Sequence, residues 1–295
     1  MREFSDAQSG SKLVPSRNIL DAVRREGKAV AALNFYNAET LRAHIKAANS
    51  IHAPVILQTT EATIRYLGLR MAVGMARAAA EEIERPVALH LDHGGSYDLA
   101  ARCIDAGYTS VMIDGSKLPF AENCSLTRRV VELAQAAGVS VEGELGHVAH
   151  NEETSDITRF YTDPQTAYQF VSETGVDALA VAVGTAHGFY KGEVRIDFDR
   201  LCEIRDSVGK TALVLHGGSG VSDELLARAI ACGIAKINFG TELKHAFTRA
   251  VKTSLMASDE IDLRKTFMPA IEAVSQVSAA KIRVCQKEPA EVSNK

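Results

Sequence analysis

Three histidines stand in settings that suggest metal chemistry. His93 ends L-H-L-D-H, directly after Asp92; His187 lies in V-G-T-A-H-G; His216 opens H-G-G-S-G. Neutral imidazole is the commonest biological zinc ligand, and three histidines with an open fourth position form a catalytic zinc pattern. They lie 94 and 29 positions apart, so no local finger motif exists and only a fold can bring them together. Beside a metal held by His93, Asp92 has two readings: a general acid or base, or a partner that orients a histidine. Glu144, in V-E-G-E-L-G, is either an alternate ligand or a supporting group. Glu152 and Glu153 sit in G-H-V-A-H-N-E-E-T-S-D, a polar stretch without periodicity. Its spacing reads as a solvated surface loop, and a mobile loop could also swing an acid over a site.

The elements that must position these residues follow from periodicity. Short apolar or β-branched runs predict strands at Ala29–Asn34, Pro54–Gln58, Val87–Asp92, Ser110–Asp114, Ser140–Glu144, Ala178–Val183, Ala212–His216 and Lys236–Phe239. Helical spacing predicts helices such as Ala38–Asn49, Met71–Glu84, Ala121–Ala137, Pro164–Glu173 and Asp223–Cys232. Asn37, Asp163 and Ser222 are start signals, and Gly107, Gly138, Gly175 and Gly233 are stop signals. Strand alternating with helix, without hairpin signals, implies a parallel sheet. Eight such units match a (β/α)8 TIM barrel, whose usual size is roughly 250 residues. An open doubly wound sheet would concentrate polar residues at one switch point. Here they cluster at the ends of strands 1, 3, 5, 6, 7 and 8, which favours the closed barrel.

Active sites of such barrels lie at the C-terminal strand ends. Those ends carry Asn34, Thr60, Asp92, His93, Asp114, Ser116, Glu142, Glu144, His187, His216 and Asn238. Glycines in G-T-A-H-G and H-G-G-S-G let backbone N–H groups approach an anion. N-F-G-T-E then leads into a helix start, so the loops after strands 7 and 8 read as a phosphate site. His44, His52 and His245 read as structural, and His90, inside strand 3, as a core residue.

Composition narrows the function class. Hydrophobic residues at 46% and charged residues at 24% are ordinary for a globular protein, which excludes disorder as the main state. A net charge of −4 gives no basic excess for nucleic-acid binding. No apolar run approaches the roughly 20 residues that span a bilayer, so no membrane role is expected. The opening M-R-E-F-S-D-A-Q-S-G-S-K lacks the apolar core of a signal peptide. The five cysteines form no C-x-x-C pair, which fits reduced thiols and a cytoplasmic location. The expectation is one domain over 1–295, with about 12 N-terminal and 10 C-terminal polar residues frayed.

Six ordered motifs, L-H-L-D-H-G, M-I-D-G-S, V-E-G-E-L-G, V-G-T-A-H-G, L-V-L-H-G-G-S-G and K-I-N-F-G-T-E-L, resemble the class II, zinc-dependent ketose-bisphosphate aldolases. The likeness runs from about Ser16 to Cys285. It implies one Zn2+ per subunit on His93, His187 and His216, with Glu144 approaching the metal when the site is empty. It implies that Asp92 handles the proton of the C4 hydroxyl and that Glu152 is the mobile-loop acid that protonates C3, a role opposite to the surface-loop reading. Gly188, Gly217, Ser219, Asn238 and Thr241 match the part of the family site that binds dihydroxyacetone phosphate, and Gly218 and Gly240 join them as expected substrate-binding residues. Asn34 and Thr60 match polar positions facing the substrate. Arg264 matches an arginine reaching the far phosphate from a neighbouring subunit, which implies a homodimer or homotetramer. The family also leaves room for a monovalent cation.

The implied reaction is reversible cleavage of a ketose 1,6-bisphosphate to dihydroxyacetone phosphate and glyceraldehyde 3-phosphate. F-Y-N-A-E-T, P-F-A-E-N, G-T-A-H-G-F-Y and the small residue at Gly240 look most like the tagatose-bisphosphate branch. Fructose 1,6-bisphosphate, another phosphorylated ketose or a deoxy-keto acid phosphate are the alternatives, and a noncatalytic assembly or binding subunit is the alternative of another class. Intact Asp92 and all three histidines speak against the last. Lys236, at the start of strand 8, is a candidate lysine for a Schiff-base mechanism, but the three strand-end histidines speak against that route. Three departures from the family pattern stand out: Ala149-His150 replaces a Gly-Gly pair in the catalytic loop, Lys117 replaces a frequent His, and D-L-R-K replaces D-P-R-K.

Overall fold

The structure is a computed structural model that describes residues 12–148, 158–190 and 192–287. The expected barrel is present. Its strands are β1 (Val30–Asn34), β2 (Val55–Thr60), β3 (Val87–Gly94), β4 (Ser110–Ile113), β5 (Ser140–Leu145), β6 (Ala178–Val181), β7 (Ala212–Leu215) and β8 (Ile234–Phe239). Each pairs in parallel with the next, and β8 returns to β1 to close the ring. Limits differ from expectation by a few residues. β2 continues to Thr60 and β3 to Gly94, while β8 starts at Ile234. The two chain ends expected to fray lie largely outside the described residues.

The predicted caps form as hydrogen bonds. Asn37 closes a capping box with Thr40 ahead of the helix Ala38–Ile51. Asp163 and Ser222 accept from Thr166 N and Leu225 N at their helix starts. These contacts satisfy N–H groups that have no partner inside the helix.

Alternation along each strand sorts the side chains. Leu33, Leu57, Leu89, Leu91, Val111, Val141, Leu179, Val181, Leu213, Leu215 and Ile237 face outward into the layer between sheet and helices. Val30, Ala32, Ile56, Ala88, Ala178, Ala180, Ala212, Val214 and Ala235 face inward, with Ile19, Leu20 and Val23. Those last three belong to the helix Ser16–Arg25, which plugs the N-terminal end of the barrel. The apolar inner layer is thus confined to the lower barrel. Continuing the same alternation toward the strand C-termini makes Asn34, Gln58, His90, Asp92, Glu142, Glu144 and His216 point inward; in β8 a register shift against β7 between Ile234 and Lys236 turns Lys236 and Asn238 inward as well. The plug keeps water out below, so the polar upper layer must satisfy itself.

His44 ties the outer layer to the mouth. It is fully buried; its Nε2–H donates to the Asn34 carbonyl at 3.1 Å and its Nδ1 lies 2.9 Å from Ser278 Oγ. Burial lowers its pKa from 6.5 to about 4, with the Asn34 bond acting in the opposite sense. Below pH 6.5 the unfolded chain takes up a proton that folded His44 refuses, so this contribution to stability is full above 6.5 and declines toward pH 4. We predict that His44→Gln removes a slope of about 1.4 kcal/mol per pH unit from that window, measured by urea unfolding at several pH values. Leu20→Ala should cost about 2–5 kcal/mol in the same assay, because it opens a cavity in the plug.

Candidate active site

Asp92 and His93 are consecutive, yet both line the same cleft. In a regular strand they would face opposite sides. The β3–β4 register shifts between Leu91 and Gly94, and His93 takes φ 52°. That left-handed backbone is uncommon for a non-glycine residue and turns the imidazole inward. Gly94 must then pass so close to β4 that a Cβ would sit 2.4 Å from the Met112 carbonyl oxygen.

The barrel brings His93, His187 and His216 together, one potential ligand atom of each lying within 4.8 Å of the others. His93 Nδ1 is 2.9 Å from Asp114 Oδ2, and His216 Nε2 is 2.9 Å from Glu142 Oε1. Carboxylates accept, so each of those nitrogens carries its hydrogen. Nε2 of His93 and Nδ1 of His216 remain, facing each other at 2.9 Å. Burial would lower the His93 pKa, but Asp114, Asp92 and Glu144 outweigh it and push the pKa up to about 9. Burial and the His93 charge hold His216 neutral, well below the ordinary histidine value. A protonated His93 therefore donates to a neutral His216.

Glu144 tests whether a cation fits here. Its Oε2 is buried without a hydrogen-bond partner among the described residues, 3.8 Å from the Nδ1 atoms of both His93 and His216. Burial raises its pKa to about 8. An orphaned buried carboxyl oxygen beside clustered imidazoles suits a divalent cation, which would satisfy the carboxylate and displace the His93 proton. The donor set fits zinc: three nitrogens, with two rings oriented by carboxylates behind them.

Asp92 is held differently. Its Oδ2 accepts from Asn34 Nδ2 at 2.9 Å and Gln58 Nε2 at 3.4 Å, and its Oδ1 accepts from Asn238 Nδ2 at 3.0 Å. Burial raises its pKa, but the charges of His93 and Lys236 and the Asn34 bond more than offset that, so it stays ionised. A buried carboxylate gripped by neutral amides remains a base.

Below these groups lies a second buried network. Lys236 Nζ donates to Glu142 Oε2 at 2.8 Å and lies 3.4 Å from His90 Nε2, while His90 Nδ1 meets Ser110 Oγ at 2.7 Å. Lys236 is 1% exposed and does not line the cleft. The sequence candidate for a Schiff base is therefore the counter-ion of Glu142.

The cleft encloses about 490 Å³. Its wall includes Asn34, Thr60, Asp92, His93, Glu144, His187, Gly188, Gly217, Ser219, Asn238, Gly240 and Thr241, all proposed from sequence. Gly217 adopts φ 68° and lies so near the Ala186 backbone that a Cβ would be 2.4 Å from its carbonyl oxygen. Ser219 Oγ accepts from Gly240 N and Glu242 N, tying the β7 loop to the start of the helix Thr241–Ala257. Gly218 is not in the wall. Its Cβ position is filled by Ile237 and Phe239, and its N–H bonds Asn238 O, so it packs the loop. Arg264 is exposed, away from this cleft, paired with Asp262. Glu152 and Ala149-His150 lie outside the described residues.

Sequence reading missed Tyr36, Gln58, His147 and Lys244. Gln58 was legible: alternation from Ile56 points it inward. Tyr36, His147 and Lys244 lie in loops or on a helix, where no strand period places them.

A closed parallel barrel with three histidines and buried carboxylates at its C-terminal rim has the layout of a barrel enzyme, whose active site lies at that face. The comparisons specify the group. The family model described as Fructose-bisphosphate aldolase class-II matches residues 14–289. The chain belongs to that family and is a carbon–carbon lyase. It is similar to the YdjI aldolase from Escherichia coli K12, with 32% identity over 94% of this chain and 98% of that one, and a TM-score of 0.81. A putative fructose-1,6-bisphosphate aldolase from Coccidioides immitis matches with 28% identity over 91% and 94%, TM-score 0.81. The fructose-bisphosphate aldolase from Campylobacter jejuni shares the fold, with 23% identity over 92% and 95% and a TM-score of 0.78.

The carboxylate behind a ligand imidazole sets its orientation and basicity. We predict that Glu142→Gln weakens zinc affinity about 10–100-fold, measured by competition with a chromophoric chelator.

Proposed function

We propose that this protein is a zinc-dependent aldolase that cleaves a ketose 1,6-bisphosphate, tagatose before fructose. The observation that carries the reading is Asp92, an ionised carboxylate held by three amides directly beside three clustered imidazoles. His93, His187 and His216 would hold Zn2+, and Glu144 would meet it when substrate is absent. Bound there, the metal supplies a Lewis acid for the charge left on a ketone when the neighbouring bond breaks.

The chain's own groups supply the rest. Asp92 takes the proton from the C4 hydroxyl, and the C3–C4 bond breaks to release the aldehyde. Glu152, on the loop after β5, returns a proton to C3. Gly188, Gly217, Ser219 and Thr241 bound the end of the cleft suited to the C1 phosphate, where backbone N–H groups and a helix start favour an anion. Asn238 Oδ1 is buried without a partner among the described residues, available to a substrate hydroxyl. Gly240 supports the tagatose assignment. A side chain there would crowd Asn34 Oδ1 at 3.0 Å and the Tyr36 hydroxyl at 3.4 Å, so a larger residue requires a different arrangement around Asp92.

The assignment of Arg264 to a neighbour's site makes the enzyme at least a homodimer. Leu255, Met256, Ile261, Leu263 and Met268, near it in sequence, are exposed, apolar surface that a subunit contact would cover. No described helix is long and apolar enough to cross a membrane. A cytoplasmic location agrees with the cysteine pattern. The proposed domain is a single unit over the whole chain.

Dihydroxyacetone phosphate release from tagatose and fructose 1,6-bisphosphates, with and without chelator, tests the reading. The expected result is chelator-sensitive release with the higher kcat/KM for tagatose; release indifferent to chelator overturns the zinc assignment. His216→Ala should abolish zinc binding and turnover together. Glu152→Gln should slow C3 protonation, read by hydrogen exchange into dihydroxyacetone phosphate, while zinc affinity stays the same; unaltered exchange returns Glu152 to a surface role.

A further inference from the structure

Two lysines line the cleft, and the barrel order sets them on opposite sides. Lys244 follows β8, its ammonium 5.9 Å from the centre of the Tyr36 ring. Lys117 follows β4. In a closed ring of eight, β4 stands four strands from β8, directly across the mouth. His93, from β3, and Glu144, from β5, flank β4; His187 follows β6. A ligand with one anionic end at the β7–β8 loops and its carbonyl at the imidazoles therefore extends its other end toward Lys117.

The Lys117 loop is fixed to the catalytic machinery. Asp114, which holds His93, also accepts from Ser116 N at 3.1 Å and Ser116 Oγ at 2.7 Å through its other oxygen. Leu118 N bonds the Gly115 carbonyl at 2.9 Å. His147 joins the same wall, its Nδ1 3.4 Å from Ser116 Oγ. The carboxyl groups of the wall are already committed: Asp92 to amides, Asp114 to His93, Glu144 toward the imidazoles. Lys117 makes no ion pair with another described residue. An exposed ammonium at the distal end of a substrate cleft, held in register with His93, is a reader of negative charge.

We propose that Lys117, with His147 beside it, forms a distal-anion subsite within the same subunit. It selects substrates whose aldehyde fragment ends in a phosphate or carboxylate. This inference rests on the aldolase reading and adds a specificity-determining residue to it.

The test uses zinc-loaded enzyme in the condensation direction, with dihydroxyacetone phosphate and three aldehydes. One ends in phosphate (glyceraldehyde 3-phosphate), one in carboxylate, and one is neutral (glyceraldehyde). Wild-type enzyme should favour the charged aldehydes. Lys117→Met should lower the ratio of kcat/KM for charged over neutral aldehyde by about tenfold or more, and Lys117→Arg should retain it. Whichever charged aldehyde loses more identifies the anion. An unaltered ratio, an equal loss on all three aldehydes, or no wild-type preference for charge overturns the subsite. Hydrogen exchange at C3 of dihydroxyacetone phosphate needs no aldehyde. Its absence from wild-type enzyme would overturn the aldolase reading itself, and the subsite with it; exchange with an unaltered ratio overturns the subsite alone.

Discussion

Everything at the barrel mouth depends on how buried charge is matched. Glu142 is the clearest case. It is 2% exposed, yet it meets Lys236 from β8 and His216 from the end of β7. An unpaired carboxylate at that depth would be very costly, and the lysine removes most of that cost. What remains of its accepting capacity fixes the tautomer of His216 and leaves Nδ1 facing His93. Asp114 does the same for His93. Two carboxylates thus decide which nitrogens are free to bind a cation.

The contrast between Asp92 and Glu144 follows from the same physics. Both are buried carboxyls within reach of His93. Asp92 receives three amide donors and remains ionised. Among the described residues Glu144 accepts a 3.3 Å bond from Val148 N and keeps one oxygen without a partner, so burial wins and its pKa rises. One group is built to take a proton from a ligand. The other is built to respond to a cation. Neighbouring carboxyls with divergent affinities for protons are what acid–base chemistry on one site requires.

Backbone geometry lets a strand deliver adjacent functional groups. The bulge at Leu91/Gly94 and the left-handed His93 break the two-residue period where Asp92 and His93 must share a face. Such a conformation persists because its surroundings hold it: Asp114 fixes the imidazole, and Gly94 permits β3 and β4 to close behind it. In the lower barrel, side chains are small and apolar, and the plug helix fills the end.

The sequence by itself determined the strand–helix alternation, the barrel, and most of the residues at its rim. These follow from period-2 burial and from polar residues ending each strand, which are local properties of the chain. Alternation also predicts the inward face of Gln58. The tertiary structure decided what no spacing encodes. It paired His93 with His216 across 123 residues, set Asn34, Gln58 and Asn238 on one carboxylate, and made Lys236 the counter-ion of Glu142. It also removed Gly218 from the cleft wall and set Lys117 across from Lys244. Contacts of this kind arise only when the ring closes, because closure fixes which strand end faces which, and burial then dictates which charges must meet.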